Sequence, residues 1–121
     1  MTKVGEHVTF DIIGTQKEYD PKFYEKLVYK IAKKAKVVVL EISKYKFEPQ
    51  GFTLVALLAE SHISFHTFPE KGIISFDFFT CGKVSPSVAL EVLKKEIKHT
   101  RIVKKEFNRD TVAVSYTHLT L

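Results

Sequence analysis

The chemically dense part of the chain is the run Leu58-Ala59-Glu60-Ser61-His62-Ile63-Ser64-Phe65-His66-Thr67-Phe68-Pro69-Glu70, followed by Phe78-Phe79-Thr80-Cys81-Gly82. It brings a hydroxyl at Ser61, an imidazole at His66 and the chain's one thiol at Cys81 close together in sequence. These side-chain types serve as nucleophiles, general bases and proton donors. Each also has an ordinary structural reading. Ser61 alone reads as a turn residue, His66 as a hydrogen-bonded strand histidine, and Cys81 as a small buried hydrophobe. Phe47 and Phe68 alone read as core aromatics, and Glu70 as a solvated turn charge. His66 follows Ser61 by five residues and Cys81 follows it by twenty.

The combination resembles the signature of the short prokaryotic S-adenosylmethionine decarboxylase proenzymes. In that family a Glu-Ser-His motif is cleaved before its serine, and a histidine and a Phe-Thr-Cys-Gly cysteine follow at the two spacings found here. The resemblance covers nearly the whole chain in length and order of elements. It implies self-cleavage between Glu60 and Ser61, giving residues 1–60 as a beta chain and 61–121 as an alpha chain, with Ser61 converted to a covalent pyruvoyl cofactor. Ser61 would attack the carbonyl of Glu60, so that an ester, the better leaving group, replaces the amide. His66 is implied as the base that removes the Ser61 α-proton. The Glu60 carboxylate then departs, and the dehydroalanine left behind becomes the pyruvoyl group with loss of ammonia. Thr53 stands where the family carries a hydroxyl residue, which implies a role in stabilising the oxyanion.

For the mature enzyme the resemblance implies a Schiff base between the pyruvoyl ketone and the substrate amine, with the cofactor acting as the electron sink that pyridoxal phosphate provides elsewhere. Cys81 is implied as the donor that protonates carbon after carbon dioxide leaves. Phe47 and Phe68 correspond to positions that stack on adenine, and Glu70 to one that binds the ribose hydroxyls. Phe68 departs from the tryptophan common at its position. The implied product is the aminopropyl donor for spermidine. Two alternatives share the scaffold: a pyruvoyl-dependent arginine decarboxylase, and an uncleaved, inactive homologue that regulates an active partner. Phe47, Phe68 and Glu70 favour the nucleoside substrate, and intact Ser61, His66 and Cys81 argue against the inactive homologue.

The elements that position these residues follow from hydrophobic period and breakers. His7 to Gly14 alternates as a strand, and Asp20-Pro21 caps a helix whose apolar residues Phe23, Leu27, Val28 and Ile31 recur at helical spacing. Strands are expected at Val37 to Ile42, Phe52 to Leu58, Ile63 to Phe68 and Ile73 to Thr80, with Pro69 and Gly72 ending the third. Ser85-Pro86 opens a second helix carrying Val88, Val92, Leu93 and Ile97. Two more strands are expected near Ile102 to Phe107 and Thr111 to Tyr116. Val8 to Ile13 resembles Ile74 to Phe79, Asp20-Pro21 matches Ser85-Pro86, and Val37-Val38 with Glu41 matches Ile102-Val103 with Glu106. This is an internal β-α-β pseudo-repeat.

The expected fold is therefore α+β, a two-layer sandwich of a mostly antiparallel sheet with two helices on one face. The other sheet face is left to pack on a second copy, giving a homodimer joined through its sheets. Ser61 and His66 are an odd number of residues apart, so on a regular strand they point to opposite faces. Either a bulge or bend turns His66 back towards its own Ser61, or, as the resemblance implies, the sites are shared, with one protomer giving Ser61 and Cys81 and its partner Thr53, His66, Glu70 and Phe47.

At 121 residues and 45% hydrophobic, the chain fits a single domain spanning 1–121. The formal charge of +5 is dispersed among glutamates, as in Lys94, Lys95, Glu96 and Lys98, without the basic stripe that would mark a nucleic-acid partner. One cysteine excludes an intrachain disulfide and makes a poor basis for a metal site. No run reaches the about eighteen apolar residues that span a bilayer, and no secretory leader is recognisable, so a cytoplasmic location without membrane association is expected.

Overall fold

The computed structural model describes residues 2–111. Six strands and two helices occur among them: β1 (Thr2–Ile13), α1 (Pro21–Ala35), β2 (Val39–Lys46), β3 (Phe52–Leu58), β4 (Ser61–Phe68), β5 (Ile73–Thr80), α2 (Ala89–Glu96) and β6 (Arg101–Thr111). The strand expected near Thr111 to Tyr116 lies, apart from Thr111 itself, outside the described residues. No helix among the described residues is long and apolar enough to cross a membrane.

Local chemistry sets the helix starts. Asp20 accepts a hydrogen bond from the Lys22 amide at 2.8 Å, with Pro21 in the first helical position. Ser85 likewise accepts from the Ser87 amide at 3.2 Å, but it caps a 3₁₀ turn, Pro86–Val88, from which α2 then continues. The α2 region buries Val92, Leu93 and Ile97, and α1 buries Leu27, Val28 and Ile31 as expected, with Tyr24 rather than its neighbour Phe23 at the centre of the layer.

The sheet order is β2-β3-β4-β5-β1-β6, and every neighbouring pair is antiparallel. Both halves of the pseudo-repeat are visible as β1-α1-β2 and β5-α2-β6, each joining two strands that run the same way. In the second unit only β1 stands between the strands, whereas in the first β5, β4 and β3 intervene. The repeat is thus one of element order and direction, not of spacing in the sheet.

Strand alternation sorts the side chains into two faces. Val8, Phe10 and Ile12 of β1, Leu54, Ala56 and Leu58 of β3, and Phe76 and Phe78 of β5 are buried against the helices in one core. Both helices therefore lie on the same side. The opposite face carries exposed Tyr45, Val55, Leu57 and Phe107 beside polar Thr53, His66 and Asp77, and none of the described helices lies over it.

Candidate active site

The Glu60–Ser61 bond lies at the tightest point of the sheet. Leu58 and Ser61 form the last ladder pair of β3 and β4, so only Ala59 and Glu60 make the connection. A two-residue hairpin needs left-handed backbone angles, usually supplied by glycine or asparagine. Here Glu60 adopts φ 60°, a conformation of limited favour for a side chain with a Cβ. The Ala59 amide donates to the Val38 carbonyl at 2.8 Å and ties the turn to the start of the edge strand.

Strand β5 brings the second motif alongside. Ser61 is the register partner of Thr80, which puts Cys81 immediately beyond the ladder and next to the turn. The Cys81 amide donates to the Glu60 carbonyl oxygen at 3.3 Å, which is the carbonyl of the Glu60–Ser61 bond. The Ser61 hydroxyl, on the helix-facing side and 7% exposed, donates to Thr80 Oγ1 at 2.8 Å. Thr80 Oγ1 also accepts from the Gly82 amide at 2.9 Å. The Cys81 side chain is exposed, which removes the reading of this cysteine as buried filler.

A second cluster occupies the other end of the same strands. His66 is the register partner of Thr53, and Thr53 Oγ1 and His66 Nδ1 are hydrogen bonded at 3.1 Å. Phe68 ends β4, exposed, with Lys71 Nζ 5.8 Å from its ring centre. Glu70 is exposed in the 3₁₀ turn Pro69–Lys71. Phe47, also exposed, packs edge-on against Tyr45 at 4.9 Å, and its amide donates to the Gly51 carbonyl at 2.9 Å. Neither Phe47 nor Phe68 is a core aromatic.

Within one chain the two clusters do not meet. The ladder runs without a bulge from Ser61 to Phe68, so Ser61 and His66 face opposite sides of the sheet. Five residues of strand also separate them by about 16 Å. Glu60, Ser61 and Cys81 gather at one end, and Phe47, Thr53, His66, Phe68 and Glu70 at the other. Two participants escape sequence reasoning: the Thr80 hydroxyl and the Cys81 backbone amide. Thr80 is visible in the Phe-Thr-Cys-Gly run, but its contact with Ser61 depends on a register between two strands that sequence alone does not reveal. The same holds for the hydrogen-bonded contact between His7 and Asp77 on the open face.

Comparison with known proteins adds an independent line. Residues 6–110 match the family model described as S-adenosylmethionine decarboxylase. The chain is 38% identical over 117 residues to the S-adenosylmethionine decarboxylase proenzyme of Prochlorococcus marinus, with 94% of each chain covered. It is 33% identical over 117 residues to the proenzyme of the same name from Methanococcus vannielii, covering 94% of this chain and 96% of that one. Among solved structures, the adenosylmethionine decarboxylase of Aquifex aeolicus superposes with a TM-score of 0.81 at 31% identity, covering 94% of this chain and 97% of the other.

Proposed function

Because the chain belongs to the S-adenosylmethionine decarboxylase family, we propose that it is made as a proenzyme, cuts itself between Glu60 and Ser61, and then decarboxylates S-adenosylmethionine. The observation that carries the self-cleavage is the arrangement at the turn: a held serine hydroxyl directly follows a carbonyl that already accepts an amide hydrogen bond, on a residue at φ 60°.

The steps follow from these groups. Ser61 Oγ bonds to the Glu60 carbonyl carbon, the C–N bond of the peptide breaks, and the hydroxyl proton passes to the released amine. The Cys81 N–H is poised for the negative charge that develops on the carbonyl oxygen. His66 then takes the Ser61 α-proton, the Cβ–Oγ bond breaks, and Glu60 leaves as a new carboxylate terminus. The dehydroalanine takes up water and releases ammonia, so the products are chains 1–60 and 61–121, the second beginning with a pyruvoyl group. Such a group supplies a ketone that withdraws the electrons freed as carbon dioxide leaves the substrate.

The remaining residues bind and protonate. The exposed Cys81 thiol, beside the new terminus, gives its proton to the substrate α-carbon. Phe47 and Phe68 present ring faces for adenine, and Glu70 a carboxylate for the ribose hydroxyls. The division of these residues into two ends of one sheet supports a homodimer with shared sites. In it Ser61 and Cys81 of one protomer work with Thr53, His66, Glu70 and Phe47 from the other, and the open apolar sheet face is the surface that joins them. The product feeds polyamine synthesis in the cytoplasm.

Substrate choice is tested by carbon dioxide release from carboxyl-labelled S-adenosylmethionine and arginine. S-adenosylmethionine is expected to exceed arginine in kcat/KM by about 10³-fold or more, because arginine offers nothing to the Phe47, Phe68 and Glu70 contacts. Equal or greater turnover of arginine would assign the scaffold to the other substrate.

A further inference from the structure

We infer that Thr80 is the positioning residue for the first step of self-cleavage, holding the Ser61 hydroxyl for attack while its neighbour Cys81 holds the carbonyl to be attacked. The inference rests on the self-cleavage reading above and adds to it a residue with no assigned role. For Ser61 to attack the carbonyl of the residue before it, a lone pair of Oγ must face the Glu60 carbon while the proton points elsewhere. Thr80 Oγ1, 2.8 Å away, receives that proton in a hydrogen bond.

The Thr80 oxygen is itself held by a second donor. The Gly82 amide donates to Thr80 Oγ1 at 2.9 Å and occupies one lone pair, leaving the other for the Ser61 proton. Thr80 is 2% exposed, which shields the arrangement from competing water. Between these two contacts in sequence lies the Cys81 amide, which donates to the Glu60 carbonyl at 3.3 Å. The segment Thr80-Cys81-Gly82 therefore acts as one clamp on both reacting partners. The Ser61–Thr80 register brings it to the turn, and the Gly82 amide keeps the hydroxyl in place.

The clamp belongs to one step only. Once the acyl group has moved to Ser61 Oγ, that oxygen is an ester bridge with no proton to donate, and its bond to Thr80 is lost. The later loss of the α-proton is the task of His66. This separates Thr80 from His66 by the species each variant accumulates. Without the Thr80 hydroxyl the chain stalls as an amide; without His66 it stalls as an ester.

Hydroxylamine cleaves esters and spares peptide bonds, so it counts the chains that have completed the acyl shift. Freshly made unaltered protein and the variants Thr80→Val, Thr80→Ser and His66→Ala are followed over time by denaturing gel and intact mass, with and without hydroxylamine. Folding of each is checked by circular dichroism and melting. The Thr80→Val chain is expected to cut about 10²-fold more slowly than the unaltered chain, consistent with loss of nucleophile orientation, and its uncut fraction to resist hydroxylamine. Thr80→Ser keeps the hydroxyl and is expected within about fivefold of the unaltered rate, an effect that lost packing alone does not produce. Uncut His66→Ala is expected to be split by hydroxylamine. Where Thr80→Val does not fold, Thr80→Ala, which adds no apolar group, carries the same reading. Cutting of Thr80→Val at the unaltered rate, a hydroxylamine-sensitive uncut fraction in it, or a Thr80→Ser rate as low as that of Thr80→Val would overturn the role of Thr80 and leave self-cleavage standing. An unaltered chain that never cuts would instead remove the self-cleavage reading, and the role of Thr80 with it.

Discussion

Replacing Ser61 by alanine is expected to give one uncut full-length chain and to abolish decarboxylation, a fall of about 10⁶-fold or more to the uncatalysed rate. The substitution removes two things at once, the hydroxyl that attacks Glu60 and the atoms from which the cofactor is made. No other hydroxyl replaces it. His62 follows in the chain, and Thr80 Oγ1 sits on the neighbouring strand, where it acts as acceptor for Ser61 and Gly82. The cost to the fold is small, because the change deletes one hydrogen bond worth about 1 kcal/mol, and the Gly82 amide still occupies Thr80. A melting curve near that of the unaltered protein, together with a single band on a denaturing gel, separates loss of chemistry from loss of structure. Cleavage persisting in Ser61→Ala would mean that the cut does not originate in this residue.

The second large effect is a gain. Ser61→Ala and His66→Ala chains, each inactive alone, are expected to restore cutting and decarboxylation when co-expressed. In the mixed dimer one site combines Ser61 and Cys81 from the His66→Ala chain with Thr53 and His66 from the Ser61→Ala chain. Half the sites of a mixed dimer are therefore complete. With random pairing half of the dimers are mixed, so activity near a quarter of that of the unaltered protein is expected. The geometry behind this is direct: Ser61 and His66 lie on opposite faces of an unbroken strand, and the hairpin turn that holds the Glu60 carbonyl stands at the far end from the Thr53–His66 pair. Mixed dimers verified by differential tagging that neither cut nor turn over would show that His66 acts within its own chain.

The opposed faces of Ser61 and His66 are legible in sequence because strand alternation is a local rule, and the unbroken β4 ladder obeys it. The helix starts are legible for the same reason, since Asp20-Pro21 and Ser85-Pro86 act on amides two residues away. Strand limits are less legible. β2 runs on through Ser43, Lys44, Tyr45 and Lys46, whose charges suggest a loop but suit an edge strand exposed to water. β4 begins at Ser61 itself, two residues before its apolar run, because the two-residue turn commits Ser61 to pairing with Leu58. The insertion of β1 between β5 and β6 is a long-range choice that no local pattern records. The contacts of the site divide in the same way: the motif residues are readable, while the bond from Ser61 to Thr80 and the bond from Cys81 to the Glu60 carbonyl exist only once β4 and β5 are in register.

The central claim, that the chain makes its own cofactor at Ser61, is tested most directly by an intact mass spectrum of the purified protein. Two chains are expected, residues 1–60 ending in an unmodified Glu60 carboxylate and residues 61–121 lighter than their serine form by one ammonia, with no free amine at the new terminus. A single full-length chain after prolonged incubation, or a second chain that begins with an intact Ser61 amine, would contradict the account.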